Sequence, residues 1–257
     1  MTTPTRLFDC IDILLKDGPD KTMLAGKENG KWHEYSRQEA AGIVNQLSAG
    51  LLHEEIGSGD FTVEGRDKIA VISKNRPEWL MLDLAVQQIG AVLIPIYPTV
   101  GETDLEFILK DSDVKLIFVN DRDLLEKTRR VQPNLTHLRK IISFEKIEGE
   151  VHWKDLLKPV TEAILGEIHS ISDKIKYEDL ATIIYTSGTT GTPKGVMLSH
   201  KNILSNVLDS MPCFPPGDDF KALSFLPLNH IFERMVSFLY LFKGTSIYFA
   251  ENLETIP

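Results

Sequence analysis

The feature that most constrains this chain is a repeated switch in the period of its hydrophobic residues. Short apolar, β-branched runs alternate with segments of helical period: "KIAVIS" (68–73), "AVLIPIY" (91–97), "VKLIFVN" (114–120), "KIISF" (140–144) and "ATIIYT" (181–186). A run that is apolar at nearly every position has no polar side to turn to water, so it reads as a strand buried on both faces. Strands separated by helices build βαβ units. The predicted fold class is therefore α/β, with mostly parallel sheets flanked by helices.

The helix signals support this reading. Ser36-x-x-Glu39 is a capping box ahead of Ala40, Val44, Leu47 and Leu51, an apolar stripe at helical spacing. Pro77 opens "PEWLMLDLAVQQIG", with Gly90 as the expected stop. Thr103-x-x-Glu106 offers a second capping box beside Leu105, Ile108 and Leu109, and Ser199 is expected to cap "HKNILSNVLDSM". The proline-rich "MPCFPPGDD" (211–219) reads as a boundary. After it come "KALSFLP", an apolar helix over about 229–243 ended by Gly244, and a strand "SIYFA". The alternation is then cut at "ENLETIP", as expected of a fragment of a longer protein.

Charge and cysteine content exclude several classes. A net charge of −9 argues against nucleic acid or an anionic membrane as the main partner, so any anion site must be local. Two cysteines, Cys10 and Cys213, cannot make a disulfide framework or a zinc site, and a reduced, cytoplasmic setting is the natural reading. The richest apolar window, "IFERMVSFLYLF" (231–242), carries Glu and Arg, so no transmembrane segment is expected. Peripheral contact with a membrane and the oligomeric state stay open. His33, His53, His137, His152, His169 and His200 show no ligand spacing and are expected to be solvated or capping. Phe225, Phe232, Phe238, Tyr240 and Phe242 are expected in the core.

One connection is unlike the others. Between "ATIIY" and "VML" lies "TSGTTGTPKG" (186–195), far longer and more hydroxyl-rich than a turn needs. Gly188, Gly191 and Gly195 let the backbone approach a ligand, while Thr186, Ser187, Thr189, Thr190 and Thr192 supply hydroxyls. The loop amides can form an anion-holding nest, and Lys194 adds a point charge suited to phosphate oxygens. Together these make a polyphosphate cradle. It is not of the Walker type, because the fifth position after Gly188 is Pro193 rather than the glycine of Gly-Lys-Ser/Thr. A flexible linker would not sit between two apolar strands and carry one Pro-Lys-Gly.

"YTSGTTGTPKGV" resembles the signature phosphate loop of the adenylate-forming (AMP-binding) enzymes, which include acyl-CoA synthetases, luciferases and peptide-synthetase adenylation domains. "NRPEW" (75–79), "GAVLIPIYPT" (90–99) and "LPLNHIFER" (226–234) resemble the long-chain fatty acid–CoA ligases within that superfamily. The resemblance implies the early part of the large N-terminal domain of the acyl-CoA synthetase/luciferase-like fold. Residues 61–212 would form a first sheet subdomain carrying the loop, and 1–60 with 213–257 would be parts of a second. The implied reaction joins a carboxylate to ATP, giving acyl-adenylate and pyrophosphate, and then a thioester with coenzyme A.

By the same resemblance Ser187, Gly188, Thr189, Thr190, Gly191 and Lys194 hold the β- and γ-phosphates, with the Thr192 hydroxyl beside them. Thr186 joins a Mg²⁺ shell, and His230 is the candidate catalytic residue lining the acyl and adenylate site. Glu233 and Arg234 are as readily a structural ion pair as part of that site. The adenine- and ribose-binding segments and the C-terminal lysine of the family are not found here, so the fragment is expected to be inactive alone. A ligase for an aryl or amino acid, or a non-catalytic nucleotide- or acyl-binding module, are the competing readings.

Overall fold

The computed structural model describes residues 3–28, 30–57, 60–186, 191–214 and 220–251. The chain begins with α1 (Cys10–Asp17), β1 (Thr22–Glu28), β2 (Lys31–Ser36) and α2 (Arg37–His53). It continues through β3 (Lys68–Ile72), α3 (Pro77–Gln88), β4 (Val92–Ile96), α4 (Glu102–Asp111), β5 (Val114–Val119) and α5 (Arg122–Val131). Next come β6 (Lys140–Ser143), α6 (Glu162–Ser172), β7 (Leu180–Thr186), β8 (Lys194–Ser199) and α7 (His200–Ser210). The last described elements are β9 (Lys221–Ser224), α8 (Ile231–Phe242) and β10 (Ser246–Phe249). All five apolar runs are strands.

Two sheets result. The larger has the order β6-β5-β3-β4-β7-β8, parallel throughout except for the antiparallel edge strand β8. The smaller has the order β2-β1-β10-β9, with β2 its antiparallel edge. Both antiparallel strands follow from connection length. A parallel return needs a crossover of about a dozen residues or more, and neither β1–β2 nor β7–β8 has one.

The continuous apolar strands bury alternate residues in two different cores. Ile69 and Val71 of β3, with Leu116 and Phe118 of β5, face a core shared with α1, α2, α3, α7 and α8. Ala70, Ile72, Ile117 and Val119 face the opposite side, against α4 and α5. The first core also takes in Leu24, Ile247 and Phe249 of the smaller sheet, so it lies between the two sheets. α3 runs through it with every residue buried. Gly90 follows with φ +74°, a left-handed stop that an L side chain would strain.

Ser36 and Ser199 cap α2 and α7 through capping boxes with Glu39 and Asn202, as the sequence predicts. Thr103 does not cap α4: the helix begins one residue before it, and Gly101 is its N-cap. Two acidic residues in that first turn, Glu102 and Asp104, favour the earlier start by facing the positive helix end. The β1–β2 hairpin carries no strong apolar run, because β2 is half-exposed or exposed along its length. Its sequence signal is the pair Asn29-Gly30, and Gly30 has φ +76°. Among the described residues no helix is long and apolar enough to cross a membrane.

Of the two roles expected of it, solvated or capping, His200 does not take the solvated one. Only 1% exposed, it accepts the Leu7 backbone N–H on Nδ1 at 3.2 Å and packs edge-on against Phe8. Burial, reinforced by the charges of Arg66, Arg234 and Arg6, lowers its pKa to about 3. The unfolded chain therefore binds this proton near pH 6.5 while the fold refuses it until far lower pH. The stabilising effect is complete above about pH 6.5 and is lost as pH falls toward 3. Between pH 6.5 and 5 it should cost about 1.5–2 kcal/mol of unfolding free energy. Urea denaturation across that window should show a shallower decline for His200→Gln than for the wild-type chain. Parallel declines would refute the assignment.

Candidate functional site

The hydroxyl-rich connection joins β7 to β8, which pair antiparallel as a hairpin. β7 is buried from Leu180 to Ile184, half-buried at Tyr185 and exposed at Thr186. Thr182 hydrogen-bonds through Oγ1 to the Leu93 carbonyl at 2.6 Å, fastening β7 to β4. Tyr185 donates to Asp111 Oδ2 at 2.6 Å, tying the strand's end to α4. Burial, together with this carboxylate acceptor, pushes the Tyr185 phenol well up, so it stays a neutral donor.

Thr186 and Lys194 are register partners across the hairpin mouth, and both are exposed. A hydroxyl and an ammonium thus face solvent at the two ends of one loop. Ser187, Gly188, Thr189 and Thr190 lie outside the described residues. Gly191 has φ +82° with open space around a would-be Cβ, and Thr192 beside it is exposed. The left-handed backbone explains the glycine there, since crowding does not.

Against this mouth lies a cleft of about 530 Å³ at the carboxyl ends of β4 and β7. Its walls include Ile96, Tyr97, Ile184, Thr186, Pro193 and His230. The carboxyl ends of parallel strands are where open α/β sheets place their ligands. The fold thus brings His230 to the same cleft as Thr186, although it comes from the segment after β9. His230 is the N-cap of α8, and its Nδ1 accepts the Phe232 N–H at 3.2 Å. With Nδ1 engaged as an acceptor, the neutral ring carries its proton on Nε2.

Glu233 and Arg234 are not an ion pair with each other. Glu233 accepts from the buried Ser224 Oγ at 2.6 Å, and burial raises its carboxyl pKa. Arg234 forms a two-pronged bond to Asp83 on α3, Nε to Oδ2 at 2.7 Å and Nη2 to Oδ1, with both side chains fully buried. Neither lines the cleft. Phe238 and Phe242 are in the core, but Phe225 and Phe232 are 47% and 54% exposed. These two flank His230, before α8 and in its first turn, where the chain still faces solvent.

Among the described residues no group of three or more His, Cys, Asp or Glu could hold a metal ion. A Mg²⁺ at this loop would find the Thr186 hydroxyl, an oxygen donor of the kind that ion takes. A second cleft of about 340 Å³ opens between the two sheets, lined by Lys27, Lys74, Arg76, Glu78 and Glu145 among others. Its charges are mixed in sign, and among the described residues none of the loop lines it. Asn75, Asp83 and Asn229, whose bonds assemble the site, are not legible as such in the sequence. Each pairs with a partner more than a hundred residues away, and no local pattern announces that.

The family model for the AMP-binding enzyme matches residues 15–256. Long chain acyl-CoA synthetase 3 of Arabidopsis thaliana is 29% identical over 266 residues, covering 94% of this chain but only 38% of that protein. The anthranilate CoA ligase AuaEII, solved in complex with anthranoyl-AMP, superposes with a TM-score of 0.80 at 19% identity. It covers 96% of this chain and 45% of that one. ATP-bound MatB from Rhodopseudomonas palustris gives a TM-score of 0.71 at 21% identity, covering 98% of this chain and 46% of that one. The chain thus spans less than half the length of each of these proteins.

The Asp83–Arg234 pair has a measurable consequence. Removing one member of a buried pair leaves an uncompensated charge and costs about 3–5 kcal/mol, whereas replacing both with apolar residues can be nearly neutral. In urea unfolding, Asp83→Leu should lose that much stability, and the double variant Asp83→Leu/Arg234→Met should recover most of it. A double variant no more stable than the single would show that the pair does not act as a unit.

Proposed function

The chain belongs to the AMP-binding enzyme family, and from that premise we propose that it is part of an ATP-dependent long-chain fatty acid–CoA ligase. Such a ligase converts a carboxylate and ATP to acyl-adenylate and pyrophosphate, then forms the thioester with coenzyme A. Residues 61–212 are proposed as the subdomain carrying the phosphate loop, with 1–60 and 213–257 contributing to a second. The observation that carries the reading is the Thr186–Lys194 hairpin mouth opening beside the cleft lined by His230.

Substitution at the α-phosphorus asks mostly for positioning and charge neutralisation. Lys194 meets the β- and γ-phosphate oxygens and the departing pyrophosphate as a point charge. Thr186, Ser187, Thr189, Thr190 and Thr192 offer hydroxyls, and Gly188 and Gly191 let the backbone amides close on the anion. Mg²⁺ bound there would neutralise phosphate charge, with the Thr186 oxygen as one of its ligands. His230, its Nδ1 already occupied by the Phe232 N–H, presents Nε2–H to the acyl-adenylate carbonyl. The fatty-acid assignment is supported by "LPLNHIFER" and by the kinship with plant long chain acyl-CoA synthetase 3. The 257 residues alone are proposed to hold a polyphosphate without turning it over.

The test is made in the full-length ligase containing this chain. A charge-assisted hydrogen bond contributes about 1.5–3 kcal/mol, so Lys194→Ala should slow ATP–pyrophosphate exchange about ten- to a hundredfold. Fatty-acid binding, measured separately, should be little changed. Exchange within about twofold of wild type would sink the assignment.

A further inference from the structure

His230 sits at the end of a segment that, among the described residues, no strand holds. Between Ser224, the last residue of β9, and Ile231, the first of α8, the one backbone–backbone bond among the described residues runs from His230 N to Pro227 O at 2.9 Å, apart from the first helical bond, Arg234 N to His230 O. The segment is held instead by side chains from the larger sheet. Asn75, just past β3 in "NRPEW", donates Nδ2 to the Leu226 carbonyl at 2.7 Å and accepts the Leu228 N–H on Oδ1 at 2.9 Å. One amide thereby satisfies a carbonyl and an N–H two residues apart, as a neighbouring strand would. Only a side chain that both donates and accepts can do this.

The same Nδ2 reaches Ser224 Oγ at 3.2 Å, and that hydroxyl donates to Glu233 Oε1 at 2.6 Å. A continuous path therefore runs from the end of β3 through Asn75 and Ser224 into the first turn of α8, bracketing His230 on both sides. Asn229, buried next to it, donates to the Ile96 carbonyl at the cleft wall.

We propose that Asn75 is a positioning residue that fixes His230 against the cleft, a role that rests on the reading of His230 as a site residue. Asn75 touches no reacting atom. Its effect passes through the backbone of 226–228 and the Ser224–Glu233 bond to the cap where His230 Nδ1 holds the Phe232 N–H.

The test on the 257-residue chain uses ¹⁵N-labelled histidine, with the His230 ring signal assigned by its loss in His230→Gln. In the wild-type chain His230 Nδ1 should report an unprotonated acceptor. In Asn75→Ala and Asn75→Asp its signal should move toward that of a free imidazole, while the signal of buried His200 stays in place. An unmoved His230 signal in a folded variant, with His200 in place, would overturn the proposal. Should Asn75→Ala fail to fold, Ser224→Ala breaks the same path at its next link and must move His230 in the same direction. An unmoved signal there would also overturn it.

A second readout separates this proposal from the function it rests on. In the full-length ligase, Asn75→Ala should lower kcat/KM for the fatty acid about tenfold or more, with the KM for ATP within about twofold. If His230 moves and the kinetics do not, the site role of His230 falls and with it the positioning role.

Discussion

The two sheets are joined by a helix that has no face left for water. α3 is buried along its whole length, and its Asp83 holds Arg234 of α8 in the core between the sheets. Gln87 donates to the same carboxylate at 2.7 Å, and the guanidinium lies near the Trp79 ring. A charge placed there must be paired, because burial without a partner costs several kcal/mol. The pairing ties the first turn of α8 to α3, and His230 is the cap of α8. A cleft residue thus sits one helical turn from a buried ion pair that does not itself line the cleft.

The other half of the site follows from chain connectivity. β7 and β8 are too close in sequence for a crossover, so β8 returns antiparallel and the loop becomes a hairpin mouth at the carboxyl edge of the sheet. Thr186 and Lys194 face each other there because their register pairs them. The cleft opens at that edge, where β4 and β7 end and the segment before α8 crosses over from the smaller sheet. A local hairpin and a remote helix cap are brought to one place by the core beneath them.

Much of this was legible in the sequence, and the physical reason differs by element. The five parallel strands stood out because both faces bury, leaving no polar position to blur the pattern. Ser36 and Ser199 were readable because capping is local chemistry. Thr103 misled because a capping-box pattern can begin inside a helix whose acidic first turn already favours an earlier start. The β1–β2 hairpin was hidden because its outer strand is polar and exposed, although Asn29-Gly30 marks the turn. Glu233 and Arg234, adjacent in the sequence, suggested one shared role, yet they bond to different elements on different sides of α8. Asn75 could not be read as a tether, since its partners lie about 150 residues away.

The central claim is that the hairpin mouth from Thr186 to Lys194, beside His230, is the anion site of this chain. The most direct measurement is a pyrophosphate titration of the ¹⁵N-labelled 257-residue chain, following its backbone amides. The account predicts saturable shifts centred on Thr186, Gly191, Thr192 and Lys194, extending to His230 and much reduced in Lys194→Ala. Shifts centred instead on Lys74 and Arg76 in the cleft between the sheets, or no saturable shift at the hairpin, would contradict it.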